Sequence, residues 1–455
     1  MEMVLEFLRD VLSQPALLIG IMSCVGLVAL KRPFHKVMTG TLKPILGYLM
    51  LAAGAGVIVS NLDPLGKMIE HGFHITGVVP NNEAIVAVAQ KVLGVETMSI
   101  LVVGLLMNLC IARFTKFKYV FLTGHHSLFM ACLMSAVLGT AGLSGMELIL
   151  VGGFLMGAWS AISPAIGQSY TSKVTDGDEI AIGHFGSLGY YLSAWVAKYV
   201  GKADDSTEDI EIPEKWGFLR DSTLSTALTM IVFYLIAAFA AGSEFVATLS
   251  GDMSPYLYAV MSAMNFAVGV TIVYSGVRMI LGDLIPAFQG IATKIIPNAI
   301  PAVDCAVFFT YAPTAVVLGF ISSFIGGIIG MLILGAVGGV LIIPGLVPHF
   351  FCGATAGIYG NATGGRRGAA VGAFLNGLAI TFLPALALPV LGQLGFQNTT
   401  FGDADFAVMG LVLGHAFEWI GMAGIYGIVA IAALVLIIPN FIKTKGKVIN
   451  YVEEE

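Results

Sequence analysis

Apolar stretches close to the length that crosses a bilayer recur along this chain. They fall at residues 15–30, 45–61, 98–114, 119–141, 146–163, 223–242, 257–278, 305–321, 323–345, 369–392 and 421–441. A hydrocarbon core takes about 20 apolar residues per helix, so hydropathy predicts about eleven transmembrane helices in an all-α polytopic membrane protein. Composition agrees, with 57% hydrophobic and 11% charged residues, where a soluble domain carries about 25% charge. Polar groups this scarce cannot cover the surface, and lipid must be part of the solvent. The 56 glycines suit close helix approach.

Charge placement gives the topology. Lys31, Arg32 and Lys36 follow the first stretch, and Arg113, Lys116 and Lys118 follow the third. Lys198, Lys202, Lys215 and Arg220 precede the sixth, Arg278 ends the seventh, Arg366 and Arg367 precede the tenth, and Lys443, Lys445 and Lys447 follow the last. The positive-inside rule makes all of them cytoplasmic, with the N-terminus outside and the C-terminus inside. Met1 to Asp10 is acidic and lacks the basic region of a signal peptide, so the first stretch is expected to remain as a span.

Several function classes drop out. A net charge of -6 without a basic stripe does not suit nucleic acid. Cys24, Cys110, Cys132, Cys305 and Cys352 stand singly in apolar surroundings, which predicts neither disulfides nor a metal site. No GxxxxGK[ST] motif is present, as an ATP-driven pump would need, and no cofactor is expected. Gly364-Gly365-Arg366-Arg367-Gly368 reads as a cytoplasmic turn.

Residues 79–95, 164–197, 346–365 and 403–420 are apolar but interrupted by proline, glycine or polar residues. Irregular backbone at membrane depth requires shielding by protein or a wet cavity, so these segments read as half-helices or re-entrant hairpins around a polar site. Residues 201–222 form an acidic cytoplasmic linker between a first repeat, 1–200, and a second repeat with the last span, 223–442; a cytoplasmic tail, 443–455, follows. The halves echo one another. Gly40-Thr41-Leu42-Lys43-Pro44 is matched by Gly282-Asp283-Leu284-Ile285-Pro286, and Pro80 with Glu83 by Pro301 with Asp304. Transporters place substrate where such repeats meet.

Ionisable groups in hydrocarbon cost about 2.5–3.5 kcal/mol or more and default to function. Glu83 and Asp304 lead on that ground, as carboxylates able to accept hydrogen bonds from hydroxyls. His125 and His184 each follow a glycine, which permits close approach of something bulky. His126 and His349 are further candidates, with Asn82, Gln168, Tyr170, Thr310 and Asn361 as polar company.

Three stretches carry a family resemblance: Leu122-Thr123-Gly124-His125-His126, the run from Lys173 to His184, and the run from Ile300 to Phe320. Together they resemble the ascorbate-specific IIC permeases of the bacterial phosphotransferase system. The resemblance implies a homodimer in the bacterial inner membrane, each subunit having a core domain that holds substrate and a V-shaped dimerisation domain. It further implies elevator-like movement of the core, with the substrate phosphorylated by a cytoplasmic IIB protein charged from phosphoenolpyruvate by way of IIA. The ascorbate-contacting positions of that family fall on Asn82 and Glu83, on His125 through Phe129, on His184 with Phe185, and on Asp304. Ascorbate carriers have glutamine where this chain has Phe129 and Phe185, and tyrosine where it has Glu83. The residues alone leave open a proton- or sodium-coupled carrier, with Glu83 or Asp304 as the coupling group.

Overall fold

In the computed structural model, the described residues are 11, 14–74, 77–78, 80, 82–210, 222–392 and 400–441. The helices are α1 (Pro15–Ala29), α2 (Phe34–Phe73), α3 (Asn82–Phe114), α4 (Gly124–Thr140), α5 (Gly145–Thr175), α6 (Ser187–Val200) and α7 (Ser222–Ala241). They continue with α8 (Ser243–Ser250), α9 (Pro255–Lys294), α10 (Pro313–Ala336), α11 (Leu346–Gly392), α12 (Ala404–Ile420) and α13 (Met422–Ile437). Three short strands, β1 (Tyr119–Phe121), β2 (Ala181–Ile182) and β3 (Ile300–Val303), lie between helices.

The protein is an all-α polytopic membrane protein. Among the described residues seven helices are long and apolar enough to cross a bilayer, or eight if the bent pair Thr226–Ala241 and Ser243–Ser250 is one span. Hydropathy divides the chain differently for local reasons. The stretches 305–321 and 323–345 contribute one helix, α10, because Pro313 opens it and the residues before it form β3 and a short 3-10 turn. Residues 119–141 share their apolar length between β1 and α4. Residues 369–392 extend a helix that starts at Leu346 and is broken only at Gly364 and Gly365, where φ is -143° and 59°; the second value needs glycine.

Two groups of helices pack mainly within themselves: α1, α2, α7, α8 and α9 in one, α3 to α6 and α10 to α13 in the other. In the first, α2 and α9 have 40 residues each, about 60 Å at 1.5 Å per residue and twice the hydrocarbon thickness. Glycines join them. A Cβ on Gly47 would stand 2.8 Å from the Gly276 carbonyl, and one on Gly269 2.9 Å from that of Gly54. The helices therefore touch backbone to backbone, the small-residue packing that lipid favours. At the ends of this seam the echoed motifs meet, with Lys43 Nζ 3.7 Å from Asp283.

Pairing satisfies the irregular backbone, as hydrocarbon demands. The strands form one parallel sheet in the order β1-β3-β2, with Tyr119 opposite Ile300, Phe121 opposite Ala302, and Ile182 opposite Val303. Pro301 has no N–H to give, and it falls just before β2 joins β3 at Ala302. A second contact pairs Val78 with Ile342, ahead of α3 and α11. In the linker, the Glu208 carboxylate accepts from the amides of Thr314 and Ala315 at 3.0 and 3.1 Å, capping α10. Arg366, next to the α11 break, reaches the Ser206 carbonyl at 3.1 Å and the Asp205 carboxylate at 3.3 Å.

Candidate functional site

Because the three strands run the same way, the residues that leave them emerge at one edge of the sheet. His125 and His126 follow β1, His184 follows β2 and Asp304 follows β3. Sequence separations from 58 residues, between His126 and His184, to 179, between His125 and Asp304, collapse there into side-chain contacts.

His125 Nε2 lies 3.4 Å from Asp304 Oδ2, and its Nδ1 lies 3.2 Å from the Tyr48 hydroxyl on α2. Asp304 caps the 3-10 turn after β3, accepting from the Ala306 amide at 3.3 Å. This places the carboxylate where unpaired amides favour negative charge. A small cavity touches Asp304, Tyr48, Thr123 and Ile19. The His125 side chain is 38% exposed whereas that of Asp304 is 9% exposed, so the imidazole is the reachable partner.

His126 and His184 lie against each other behind this pair, ring centroids 3.7 Å apart and planes tilted by 46°. His126 Nδ1 accepts from the Phe185 amide at 3.3 Å, and His184 Nδ1 accepts from the Gly186 amide at 3.1 Å with the Tyr190 hydroxyl 2.8 Å away. An accepting Nδ1 carries no proton, which fixes both rings as neutral tautomers with Nε2–H as donor. The 4.0 Å approach of His184 Nδ1 to Asp403 is therefore not an ion pair. Asp403 is held instead by the Asn82 amide at 2.6 Å and the Cys352 thiol at 2.8 Å, while Asn82 Oδ1 accepts from the Gly402 amide at 2.9 Å. Phe129, Phe185 and Phe406 surround the His126 ring at 5.7, 6.1 and 5.6 Å.

Of the residues singled out in the sequence, His125, His126, His184, Asp304, Phe129 and Phe185 thus share one cluster, and Asn82 joins it through Asp403. Glu83 lies in the first turn of α3, but its side chain lies outside the described residues. Four others have separate partners. Gln168 donates to the Ile180 carbonyl at 3.1 Å, Tyr170 stacks near Tyr191, Thr310 donates to Val307, and His349 pairs with Ser323 at 2.9 Å. Asn361 accepts from the Thr207 amide in the linker, at 2.8 Å.

Asp403, Asp405 and Phe406 were not singled out by sequence. Their signal was two acids within four residues at the start of the interrupted stretch 403–420. Asp405 receives Ser187 Oγ at 2.8 Å, the Leu188 amide at 2.9 Å and Trp159 Nε1 at 3.3 Å, which pins the start of α6.

Two triads bring ligand-type atoms within 4.8 Å of one another: His126, His184 and Asp403, and His184, Asp304 and Cys305. The hydrogen bonds already made to both Nδ1 atoms and to Asp403 compete with an ion there. Carboxylate acceptors, imidazole donors and aromatic faces together match what a compound rich in hydroxyls and C–H faces needs.

Among known families, the one described as the PTS system sugar-specific permease component (EIIC-GAT) matches residues 10–405. A relative, the ascorbate-specific PTS system EIIC component of Mycoplasma pneumoniae (strain ATCC 29342 / M129 / Subtype 1), is 28% identical over 417 residues. That match covers 78% of this chain and 62% of the relative, so the chain spans less than two thirds of that protein's length.

Proposed function

This chain belongs to the family of sugar-specific permease components of the phosphotransferase system, and on that premise we propose that it binds L-ascorbate or a similar polyhydroxy compound and carries it inward. The compound is phosphorylated on the cytoplasmic face by a separate IIB protein, which takes its phosphate from IIA. In this reading Asp304, Glu83 and His184 hold hydroxyls, His125 orients the ring, and Asn82, Phe129 and Phe185 shape the pocket. The subunits form a homodimer in the bacterial inner membrane.

One observation carries the reading. The His125–Asp304 contact lies where the two helix groups meet, with Tyr48 from one group bonded to His125 of the other. A carrier that slides one group past the other, as an elevator does, needs its binding residues at that junction and mostly on one side of it. The relative named for ascorbate supports the substrate class.

Uptake into vesicles tests the proposal. Reconstituted protein given phosphoenolpyruvate and the soluble phosphotransfer proteins, IIA and IIB included, should deliver phosphorylated product to the compartment that holds them. Accumulation of the unmodified compound under a proton or sodium gradient, with those proteins left out, would overturn it.

A further inference from the structure

We infer that the outer face of α6 is a binding site for an anionic phospholipid. Lys198 and Lys202 hold the phosphate, and the upper part of an acyl chain lies against Trp195 and Tyr199. The inference is independent of the substrate reading and requires only that the chain spans a bilayer.

Helix geometry fixes which face this is. A Cβ on Gly372 would strike Ser193, one on Gly368 would stand 2.8 Å from that of Ala197, and one on Gly201 would strike the Gly364 carbonyl. The stripe Ser193, Ala197 and Gly201 is therefore the side by which α6 packs on α11. Trp195 and Tyr199 come two residues after members of that stripe, about 200° round the helix. They point away from the protein, 52% and 73% exposed, with ring centroids 5.5 Å apart. Depth fits as well. From Ser187, three residues after His184, to Tyr199 the helix rises about 18 Å, against about 15 Å for half of a hydrocarbon core. A binding centre at the midplane puts these rings at the headgroup boundary, where Trp and Tyr collect.

Cations stand at the same level. Lys198 lays its Nζ 4.9 Å from the ring centroid of Tyr170 on α5, which anchors the lysine without neutralising it. Lys173 and Tyr199 lie within electrostatic reach of the same ring. Lys202 follows Gly201, with its carbonyl turned to the α11 break, where a Cβ on Gly365 would strike it. Lys198 and Lys202 are exposed, and neither has a carboxylate partner among the described residues. Nearby acids are engaged elsewhere: Asp205 by Arg366, Glu208 by the Thr314 and Ala315 amides, and Asp178 by the Ser172 hydroxyl. Uncompensated lysines beside exposed aromatic rings suit a ligand with a phosphate at one end and hydrocarbon at the other. A soluble anion would leave the rings without a partner.

The test places the purified full-length protein in phosphatidylcholine vesicles with a minor fraction of brominated lipid, the bromines near the glycerol end of its chains. One series carries brominated phosphatidylglycerol and the other brominated phosphatidylcholine. The signal is quenching of Trp195 fluorescence, taken as the difference between wild type and Trp195→Phe. Each lysine that reaches the phosphate favours the anionic lipid by about fivefold. Half-quenching should therefore need about fivefold less phosphatidylglycerol than phosphatidylcholine, or less still. Lys198→Gln with Lys202→Gln should erase most of that preference and leave quenching by phosphatidylcholine unchanged. Equal quenching by the two lipids would overturn the inference. So would loss of the preference on adding inorganic phosphate at constant ionic strength, which would mark a soluble-anion site. Quenching by neither lipid would show the face covered by protein, a second copy or a partner, and would also overturn it. Should the double variant fail to fold, the two lipids compared on wild type decide.

Discussion

The hydroxyl of Tyr48, on α2, stands 3.2 Å from Nδ1 of His125 at the start of α4, and this hydrogen bond ties one helix group to the other beside Asp304. If the groups move against each other in transport, the bond breaks in each cycle. Tyr48→Phe removes a contact worth about 1 kcal/mol, near fivefold in an equilibrium constant. Substrate affinity should fall by no more than that, while counterflow exchange across vesicles should speed up. Complete loss of binding would instead place Tyr48 among the groups that hold the substrate.

Asp304 offers its charge to both His125 and the ligand. Replacing it with Asn should weaken binding of the polyhydroxy substrate by about 1.5–3 kcal/mol, the usual worth of a hydrogen bond to a charged group. Calorimetry on the folded variant checks this, and an unchanged affinity would remove Asp304 from the site.

Asp405 has a different task. Its three donors, from Ser187, Leu188 and Trp159, would lose their acceptor in Asp405→Ala. Each orphaned donor costs about 1–3 kcal/mol, so the melting temperature in detergent should drop well below that of wild type. A melting temperature equal to wild type would show that water takes over the role.

The glycine seam tolerates no side chain. Gly276→Val would push a branched carbon against the Gly47 carbonyl and the Leu51 amide, the latter 2.7 Å from a Cβ at that position. Overpacking costs about 1–3 kcal/mol, and because the seam lies within one group, ligand affinity in the surviving folded fraction should stay near wild type. Thermal melting and calorimetry on the same preparation separate the two effects.

Glu208 fastens the linker to α10. Glu208→Ala removes the acceptor for the Thr314 and Ala315 amides, a cap worth about 0.5–2 kcal/mol. Limited proteolysis should then cut faster within residues 201–210, and an unaltered digestion pattern would show that Arg366 holds the segment unaided.

Much of this was visible in the residues. His125, His184 and Asp304 stood out because charge and imidazole are expensive in apolar surroundings, a signal that needs no knowledge of neighbours. The Gly40 and Gly282 motifs also lie side by side, with Lys43 and Asp283 in contact. The sheet was not legible. Strands of two to four residues are too short to show alternation, and buried parallel strands read as apolar run. Residues 119–141 therefore passed for a single span. Asp403 stayed hidden for another reason: its importance comes from α12 arriving beside Asn82 and Cys352, which are 321 and 51 positions away.

The sheet also has a bearing on how the protein is made. Its middle strand, β3, is the last of the three to be synthesised, and among the described residues it is the strand with which both β1 and β2 pair. Until the ribosome has passed residue 303, β1 and β2 lack their strand partner, and of the β1 backbone the Tyr119 carbonyl and the Phe121 amide can already bond the Asn108 side chain. Assembly of the binding centre is a late and highly non-local event, of the kind that slows folding, and the early intermediate is the form that quality-control proteases would meet.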